Sequence, residues 1–378
     1  MTGVFRSVMK KPLIQHFESY AKSTAQDDKI KAYAAIAEEI YSANGSLTEL
    51  VFRLVCEDEN VYIKSRARGY KISRELSEAV FHELSVFEEL ASLTPDNFKD
   101  DLGVDFVLPF KSEKWNFNEK YEERIKNVDR YGYGIFSTFR MFRLSDDKVI
   151  EPIVSADKTS MSKFVGYEEE RSRVVANTLA FLEGRPAANT LLCGDAGTGK
   201  SSTVKAVANE FFDRGLRLIE LRKDQLHYLP YVMGKISENP LKFIIFIDDL
   251  AFNRSDDNFS MLKAALEGSA SAKADNAVIY ATSNRRHIIK ESFSDREGND
   301  VHRNDTMQET LSLSERFGLV VLFSKPNKQL YLDIVHELAR RNKIKMDENE
   351  LDIKAEAFAL RRGSRSARCA EQFIDSLM

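Results

Sequence analysis

The chain has 378 residues, a mass of 43.1 kDa, a formal net charge of -4 and a pI of about 6.0. Hydrophobic residues make up 43% and charged residues 30%, which is ordinary globular usage and excludes a disordered or collagen-like chain. The length allows two or three domains with full cores, and the acid balance excludes a globally basic nucleic-acid coat protein.

The first hundred residues read as helical. Ile30, Tyr33, Ala37, Ile40 and Tyr41 share one face at helical spacing, and Asn44-Gly45 stops the run. Ser46-Leu-Thr-Glu49 has the pattern of a capping box for the next helix. Ile72, Leu76, Val80, Leu84 and Phe87 form a third stripe that ends before Thr94-Pro95. Such stripes are core faces before they are partner grooves.

Residues 99–163 change character. Arg130 to Arg143 is rich in aromatics and broken by glycines, and its alternation predicts strands. Aromatics interleaved with Arg130, Arg140 and Arg143 are also the composition that stacks single-stranded bases. A strand or hairpin docked on the next domain is the simpler reading.

From Phe164 strands and helices alternate. Apolar β-type runs occur at Asn189–Cys193, Leu216–Leu221, Phe243–Ile247, Ala277–Thr282 and Leu319–Phe323. Helices between such runs predict an α/β fold, a parallel sheet covered on both faces. After Pro326 only helical patterns remain, at Gln329–Ala339, Leu351–Leu360 and Arg365–Leu377. Tyr228 and Tyr231 follow the second of the apolar runs. They suit a pore loop, but the Leu-Pro between them reads as a loop-to-helix cap.

Cys56, Cys193 and Cys369 lie far apart with no C-x-x-C pair, so neither a disulfide framework nor a structural zinc site is expected. Met1 to Phe17 contains no apolar stretch of the signal-peptide type. The longest unbroken apolar run, Ala32 to Ala37, is too short to span a bilayer. The expectation is a cytoplasmic protein with no membrane partner.

Gly194-Asp195-Ala196-Gly197-Thr198-Gly199-Lys200-Ser201 matches G-x-x-x-x-G-K-[ST], the phosphate loop, between a predicted strand and a predicted helix. Its glycines let backbone amides turn inward around phosphates, and Ser202 continues the loop into the helix. Lys200 places a cation at the β- and γ-phosphates, and Ser201 offers a hydroxyl to Mg²⁺. Phe243-Ile-Ile-Phe-Ile-Asp-Asp249 is a buried strand ending in two carboxylates, as a Walker B site requires. Asp248 would hold the Mg²⁺ shell, and Asp249 would orient or deprotonate the attacking water. The guanine motif N-K-x-D is absent: Asn327-Lys328-Gln-Leu330 and Asn342-Lys343-Ile-Lys345 lack the aspartate. ATP is therefore the expected nucleotide.

Three further features follow. The run Ala277–Thr282 delivers Ser283 and Asn284 at its carboxyl end, where open α/β sheets bind ligands. Arg316 precedes the fifth run, a place from which an arginine reaches a neighbour's γ-phosphate. Arg361, Arg362, Arg365 and Arg368 open the last predicted helix, where cations oppose the macrodipole and a bound anion would relieve them.

In this order the residues from about 163 to 378 resemble the AAA+ ATPases. The resemblance implies a P-loop AAA+ sheet with helices on both faces, a C-terminal helical lid and a mainly helical N-terminal region. With the helical and aromatic patterns before it, the expected division is a helical N-terminal domain (1–110), an aromatic connecting segment (111–162), a nucleotide-binding αβ domain (163–325) and a lid (326–378). It implies Asn284 as sensor 1, Arg316 as the arginine finger, and Arg365 as sensor 2 with Arg368 as rival. Gly166 and Tyr167, in Phe164-Val-Gly-Tyr167, resemble the family's adenine-side segment. Leu262–Gly268, Ala281–His287 and Ser312–Gly318 resemble the signatures of a bacterial AAA+ family defined as a domain of unknown function. Tyr131-Gly-Tyr-Gly134 is similar to that family less specifically. The resemblance implies ATP, Mg²⁺, hydrolysis, a homo-oligomer, and a protein or nucleic-acid client; a slow ATP-gated switch or loader is the alternative. Asp249 stands where most of the superfamily has glutamate, a departure that bears on turnover rather than on binding.

Overall fold

A computed structural model of the protein describes residues 3–250, 257–266, 274–284 and 316–378. The chain divides into two compact units, Met1–Phe139 with Asn239–Leu241, and Arg140–Glu238 with Lys242–Met378.

The first unit is helical: α1 (Pro12–Lys22), α2 (Gln26–Ser42), α3 (Leu47–Cys56), α4 (Val61–Ala67), α5 (Arg74–Ala91), α6 (Asp96–Leu102), α7 (Phe117–Lys126) and α8 (Val128–Tyr131). Side-chain caps define several starts. Ser46 accepts from Glu49 N, Asn60 from Ile63 N, Ser73 from Leu76 N and Asn116 from Glu119 N. Ile36, Ile40, Val51, Val80, Leu84, Phe87 and Phe117 are buried together. Phe5 meets Phe87 and Tyr121 edge-on at 5.8 and 5.6 Å, and the Glu83 carboxylate accepts from Val4 N and Phe5 N. Ile30 and Tyr41, expected on the core face of α2, are exposed. They flank the stripe of Tyr33, Ile36, Ala37 and Ile40, and the Tyr41 hydroxyl reaches out to Pro109 O.

The strands expected across Arg130 to Arg143 are mostly absent. Gly132 and Gly134 take φ of 63° and 66°, which end α8 and turn the chain into a short 3₁₀ segment at Gly134–Ser137. Only Met141–Leu144 is extended. Tyr133, Phe136 and Phe142 are buried, so these rings stack inside the protein instead of forming a base-binding platform.

The second unit is built on one sheet. Its strands are β1 (Met141–Leu144), β2 (Ile150–Pro152), β3 (Thr190–Gly194), β4 (Leu216–Leu221), β5 (Lys242–Ile247), β6 (Ala277–Ser283) and β7 (Leu319–Phe323). Among the described residues the order is β2-β1-β4-β5-β6-β3-β7, and every pair except β1–β2 is parallel. All but one residue of β5 is buried, as a strand covered on both faces requires. Helix α9 (Glu168–Leu182) precedes β3, α10 (Lys200–Glu210) links β3 to β4, α11 (Leu229–Ile236) links β4 to β5, and α12 (Asp257–Leu266) follows β5. The step from β3 to β4 runs one way across the sheet, and the steps to β5 and β6 run back. Right-handed crossovers therefore put α10 on one face and α11 and α12 on the other. Pro230 lies in the first turn of α11, so the Leu-Pro pair is a helix start.

Helices α13 (Lys328–Arg341), α14 (Glu348–Arg362) and α15 (Ala367–Asp375) form a C-terminal bundle. Tyr331, Val335, Leu351, Ala355, Cys369 and Phe373 share its core. The four arginines do not all open the last helix. Arg361 and Arg362 close α14, where cations suit the carbonyl end of the dipole, and Gly363 (φ 70°) terminates it. Among the described residues no helix is long and apolar enough to cross a membrane.

Candidate functional site

Strand β6 lies between β3 and β5, with Cys193 level with Ser283 and Ile247 level with Ala281. The carboxyl ends of all three strands therefore converge. Gly194 ends β3 with φ of 132°, and a Cβ there would stand 2.0 Å from Phe323 O. Only glycine lets β7 pass this close. Asp195 N donates to Phe323 O at 3.1 Å, and its carboxylate accepts from Lys325 N at 2.8 Å.

The chain then turns through Asp195, Ala196, Gly197, Thr198 and Gly199, with φ of 77° at Gly197 and 90° at Gly199. Thr198 Oγ1 braces the turn on Asp195 O at 2.9 Å. The backbone amides of Gly197 through Ser202 find no acceptor among the described residues, since Lys200, Ser201 and Ser202 form the first turn of α10. The Lys200 ammonium is buried and donates to Gly194 O at 3.1 Å and Asp195 O at 2.7 Å. Burial lowers its pKa from the ordinary lysine value. A ring of open amides around a buried ammonium is a site for a polyanion.

The two carboxylates differ in their surroundings. Asp248 Oδ1 accepts from Ser201 Oγ at 2.6 Å, Thr282 Oγ1 at 2.5 Å and Asp249 N at 3.1 Å. Asp249 N also donates to Thr282 Oγ1 at 3.0 Å. Asp249 holds a left-handed backbone with φ of 51°, and its Oδ1 accepts from Asn284 Nδ2 at 2.8 Å. Ser201, Asp248, Asp249 and Asn284 are thus brought together, and Thr282 joins them. Sequence reading passed over Thr282 because it ends an apolar run as one more β-branched residue.

The cleft beside the loop is lined by Lys163, Phe164, Val165, Arg171, Gly197, Gly199, Ser202, Ile334, Leu338 and Arg368. Gly166 (φ 73°) and Tyr167 (φ 58°) carry the chain into α9. The Tyr167 ring packs on Phe323 at 5.4 Å and its hydroxyl donates to Ser324 O at 2.7 Å. Arg368 N donates to Gly197 O at 3.3 Å, and its side chain lines the cleft. Arg365 points elsewhere: it grips Glu356 with two bonds of 2.9 and 2.6 Å and lines a separate hollow with Lys325. Arg171, not singled out by the sequence, is one of several charges at the start of α9, and only its burial distinguishes it.

Arg316 stands before β7, level with the amino end of β3. Roughly 13 Å of strand, four residues at about 3.3 Å each, separates that end from the loop. Arg285, Arg286, His287 and residues 312–315, which carry part of the sequence resemblance, lie outside the described residues.

No relative is found among curated protein sequences. Among solved structures, a variant of Thermotoga maritima RuvB is similar at 14% identity over 58% of this chain and 72% of its own, with a TM-score of 0.36. The Thermotoga maritima RuvB Holliday junction branch migration motor gives 10% identity over 58% of this chain and 72% of its own, also with a TM-score of 0.36. A family profile described as "Protein of unknown function (DUF815)" matches residues 136–378, more than half of the chain. The match takes in the phosphate loop, the acidic end of β5, the polar end of β6 and the C-terminal bundle. The fold is an α/β architecture with a mostly parallel sheet and a phosphate loop between β3 and α10, as expected from the sequence, and the chain belongs to the family described as "Protein of unknown function (DUF815)".

Proposed function

We propose that the protein is an AAA+ ATPase that binds ATP with Mg²⁺ and hydrolyses it to move its C-terminal bundle, as a lid, against the sheet. The observation that carries this reading is the ring of unpartnered amides from Gly197 to Ser202 around buried Lys200, set beside the Ser201–Asp248 pair at 2.6 Å. Ser201 Oγ and Asp248 are hard oxygen donors that fit Mg²⁺. The ion, when bound, supplies charge stabilisation on the phosphate oxygens. Lys200 exchanges two carbonyls for the β- and γ-phosphates. Asp249 orients or deprotonates the attacking water, and Asn284, bonded to that carboxylate, positions it. Arg368, on the loop side of the bundle, takes the lid role in place of Arg365, which its pairing with Glu356 occupies.

Arg316 is the proposed finger. Its place at the amino end of β7 supports action on a neighbour's nucleotide, hence a homo-oligomer, with a protein or nucleic acid as client. Arg316→Ala is expected to bind ATP yet lose most turnover, since a finger contributes roughly 10³–10⁵-fold. Lys200→Ala is expected to lose nucleotide binding in calorimetry. Mixed under conditions of subunit exchange, the two inactive variants should regain part of the ATPase rate. A mixture that stays inactive while exchange is shown independently removes the oligomeric reading.

A slow ATP-gated switch is the second reading. The Asn284–Asp249 bond favours it, because the carboxylate that must take the water is already engaged. Steady turnover well below one per minute, unchanged by single-stranded DNA at low or high salt, would select it.

A further inference from the structure

Arg171 is a charged side chain buried where no described carboxylate pairs with it. It is 6% exposed. Nη1 donates to Gly166 O, and the guanidinium lies 4.3 Å from the centre of the Phe164 ring and 5.8 Å from that of Tyr167. Nε is buried without a partner among the described residues. Burial pushes its pKa down to about 10 against the pull of Glu168, so it remains a cation at neutral pH. A fixed cation left in this state raises the free energy of the empty protein.

The surroundings show what would relieve it. Arg171 lines the cleft together with Gly197, Gly199, Ser202, Phe164 and Val165, and one carboxylate, Glu371, lines it as well. Nη2 stands 3.5 Å from where a Gly199 Cβ would be, so the guanidinium lies in contact distance of the loop. Lys200 Nζ is turned back on the start of the loop, on Gly194 O and Asp195 O. That side belongs to the β- and γ-phosphates. Arg171 instead touches Gly199 at the other end of the loop and the segment Phe164–Gly166, the expected adenine side.

We propose that Arg171 is a nucleotide-binding residue that takes the phosphate nearest the ribose, with Nε and Nη2 donating to its oxygens. This rests on the nucleotide-binding reading above and assigns a contact within that site. It makes Arg171 a sensor of bound nucleotide of any phosphate length, distinct from the β- and γ-directed Lys200. Phe164 and the Gly166 carbonyl hold the guanidinium in place for this contact.

The test uses the full chain with Arg171→Met, which keeps the side-chain length and removes the charge, and Arg171→Lys, which keeps the charge and removes the fork. Calorimetry with ATP and with ADP, both with Mg²⁺, should show the Met variant weakened roughly 10–100-fold for each. The ATP-to-ADP and ATP-to-GTP ratios should stay at the wild-type values. The Lys variant should fall between. Without nucleotide, the Met variant should melt at or above the wild-type temperature, because an unpaired buried charge has gone. Nucleotide should raise its melting temperature less than it raises that of the wild type.

Unchanged affinity in the Met variant overturns the proposal, as does a changed ATP-to-GTP ratio, which would place the contact on the base. Loss of folding in both variants, or a lower melting temperature of the nucleotide-free Met variant, also overturns it, because Arg171 would then be a brace for Gly166. A wild-type protein that binds neither nucleotide overturns the nucleotide-binding reading itself. A wild type that binds while the Met variant binds equally well overturns only this inference.

Discussion

Replacing Thr282 by valine tests whether the two carboxylates are held by the strand beside them. Thr282 is 2% exposed, donates to Asp248 Oδ1 at 2.5 Å and accepts from Asp249 N at 3.0 Å. Valine has the same shape and neither bond. Loss of the bond to the charged acceptor costs about 1.5–3 kcal/mol, Asp249 N keeps Asp248 Oδ1 as its acceptor, and the added buried methyl returns about 0.8 kcal/mol. The net cost is therefore about 1–2 kcal/mol, a drop of roughly 2–8 °C in melting temperature for a unit of this size. Turnover should fall more steeply, up to about 100-fold, because the Asp248 carboxylate and the Asp249 backbone lose the contact that fixes them. Thr282→Ser should restore most of both. Melting should be followed by circular dichroism of the backbone. The single tryptophan, Trp115, lies in the helical unit and reports on the wrong part of the chain. A valine variant with wild-type melting and wild-type ATPase rate would refute the argument, since Asp248 and Asp249 would then be held by other means.

The two candidate lid arginines separate cleanly. Arg368→Ala should lower ATP affinity and turnover, whereas Arg365→Ala, which breaks only the pairing with Glu356, should leave nucleotide titrations unchanged and slightly lower the melting temperature. Asp249→Asn keeps a side chain that tolerates the left-handed backbone, so calorimetry should show intact ATP binding with turnover largely lost.

Much of the sheet unit was legible because its signals are local. Five continuous apolar runs mark the strands β3 to β7, of which β3 to β6 are buried along nearly their whole length while β7, at the sheet edge, exposes Val320 and Leu322, and the phosphate loop requires glycines at fixed spacing. Gly194 illustrates the match, since its close approach to Phe323 O leaves no room for a side chain. The cap at Ser46 is equally local. What stayed hidden depends on contacts distant in sequence. A strand or hairpin docked on the next domain is the expectation for the aromatic stretch, and β1 and β2 supply it, but nothing in Met141–Leu144 names β4 as the neighbour. The alternation across Arg130 to Arg143 suggested strands, but two glycines with positive φ redirected the chain. Arg365 and Arg368 are three residues apart and chemically identical. Only the pairing of one with Glu356 and the proximity of the other to Gly197 tell them apart. Thr282 and Arg171 look like ordinary strand and helix residues until their burial and partners are known.

The shorter carboxylate at Asp249 also acquires a physical reason. By length alone, glutamate would reach further toward an attacking water and promise faster turnover. The backbone argues the other way. At φ of 51° an ordinary L-residue costs about 1–2 kcal/mol, and aspartate is among the few that reduce this cost through short-range hydrogen bonds. This conformation aims Asp249 N at Thr282 Oγ1 and brings its Oδ1 to Asn284 Nδ2. Glutamate keeps the left-handed turn at about 1 kcal/mol more, or relaxes it and withdraws its amide from Thr282. In the first case the extra methylene carries the carboxylate past Asn284; in the second the whole residue shifts. Asp249→Glu should therefore lower turnover while leaving ATP affinity near the wild-type value. Asp249→Gly serves as the control, since glycine accepts the same φ without strain and has no carboxylate. It should melt no lower than the wild type and turn over no ATP. Steady-state ATPase rates and melting curves of the three proteins decide the matter. A glutamate variant that turns over faster than the wild type, with unchanged melting, would show that the left-handed backbone places no limit on side-chain length at this position.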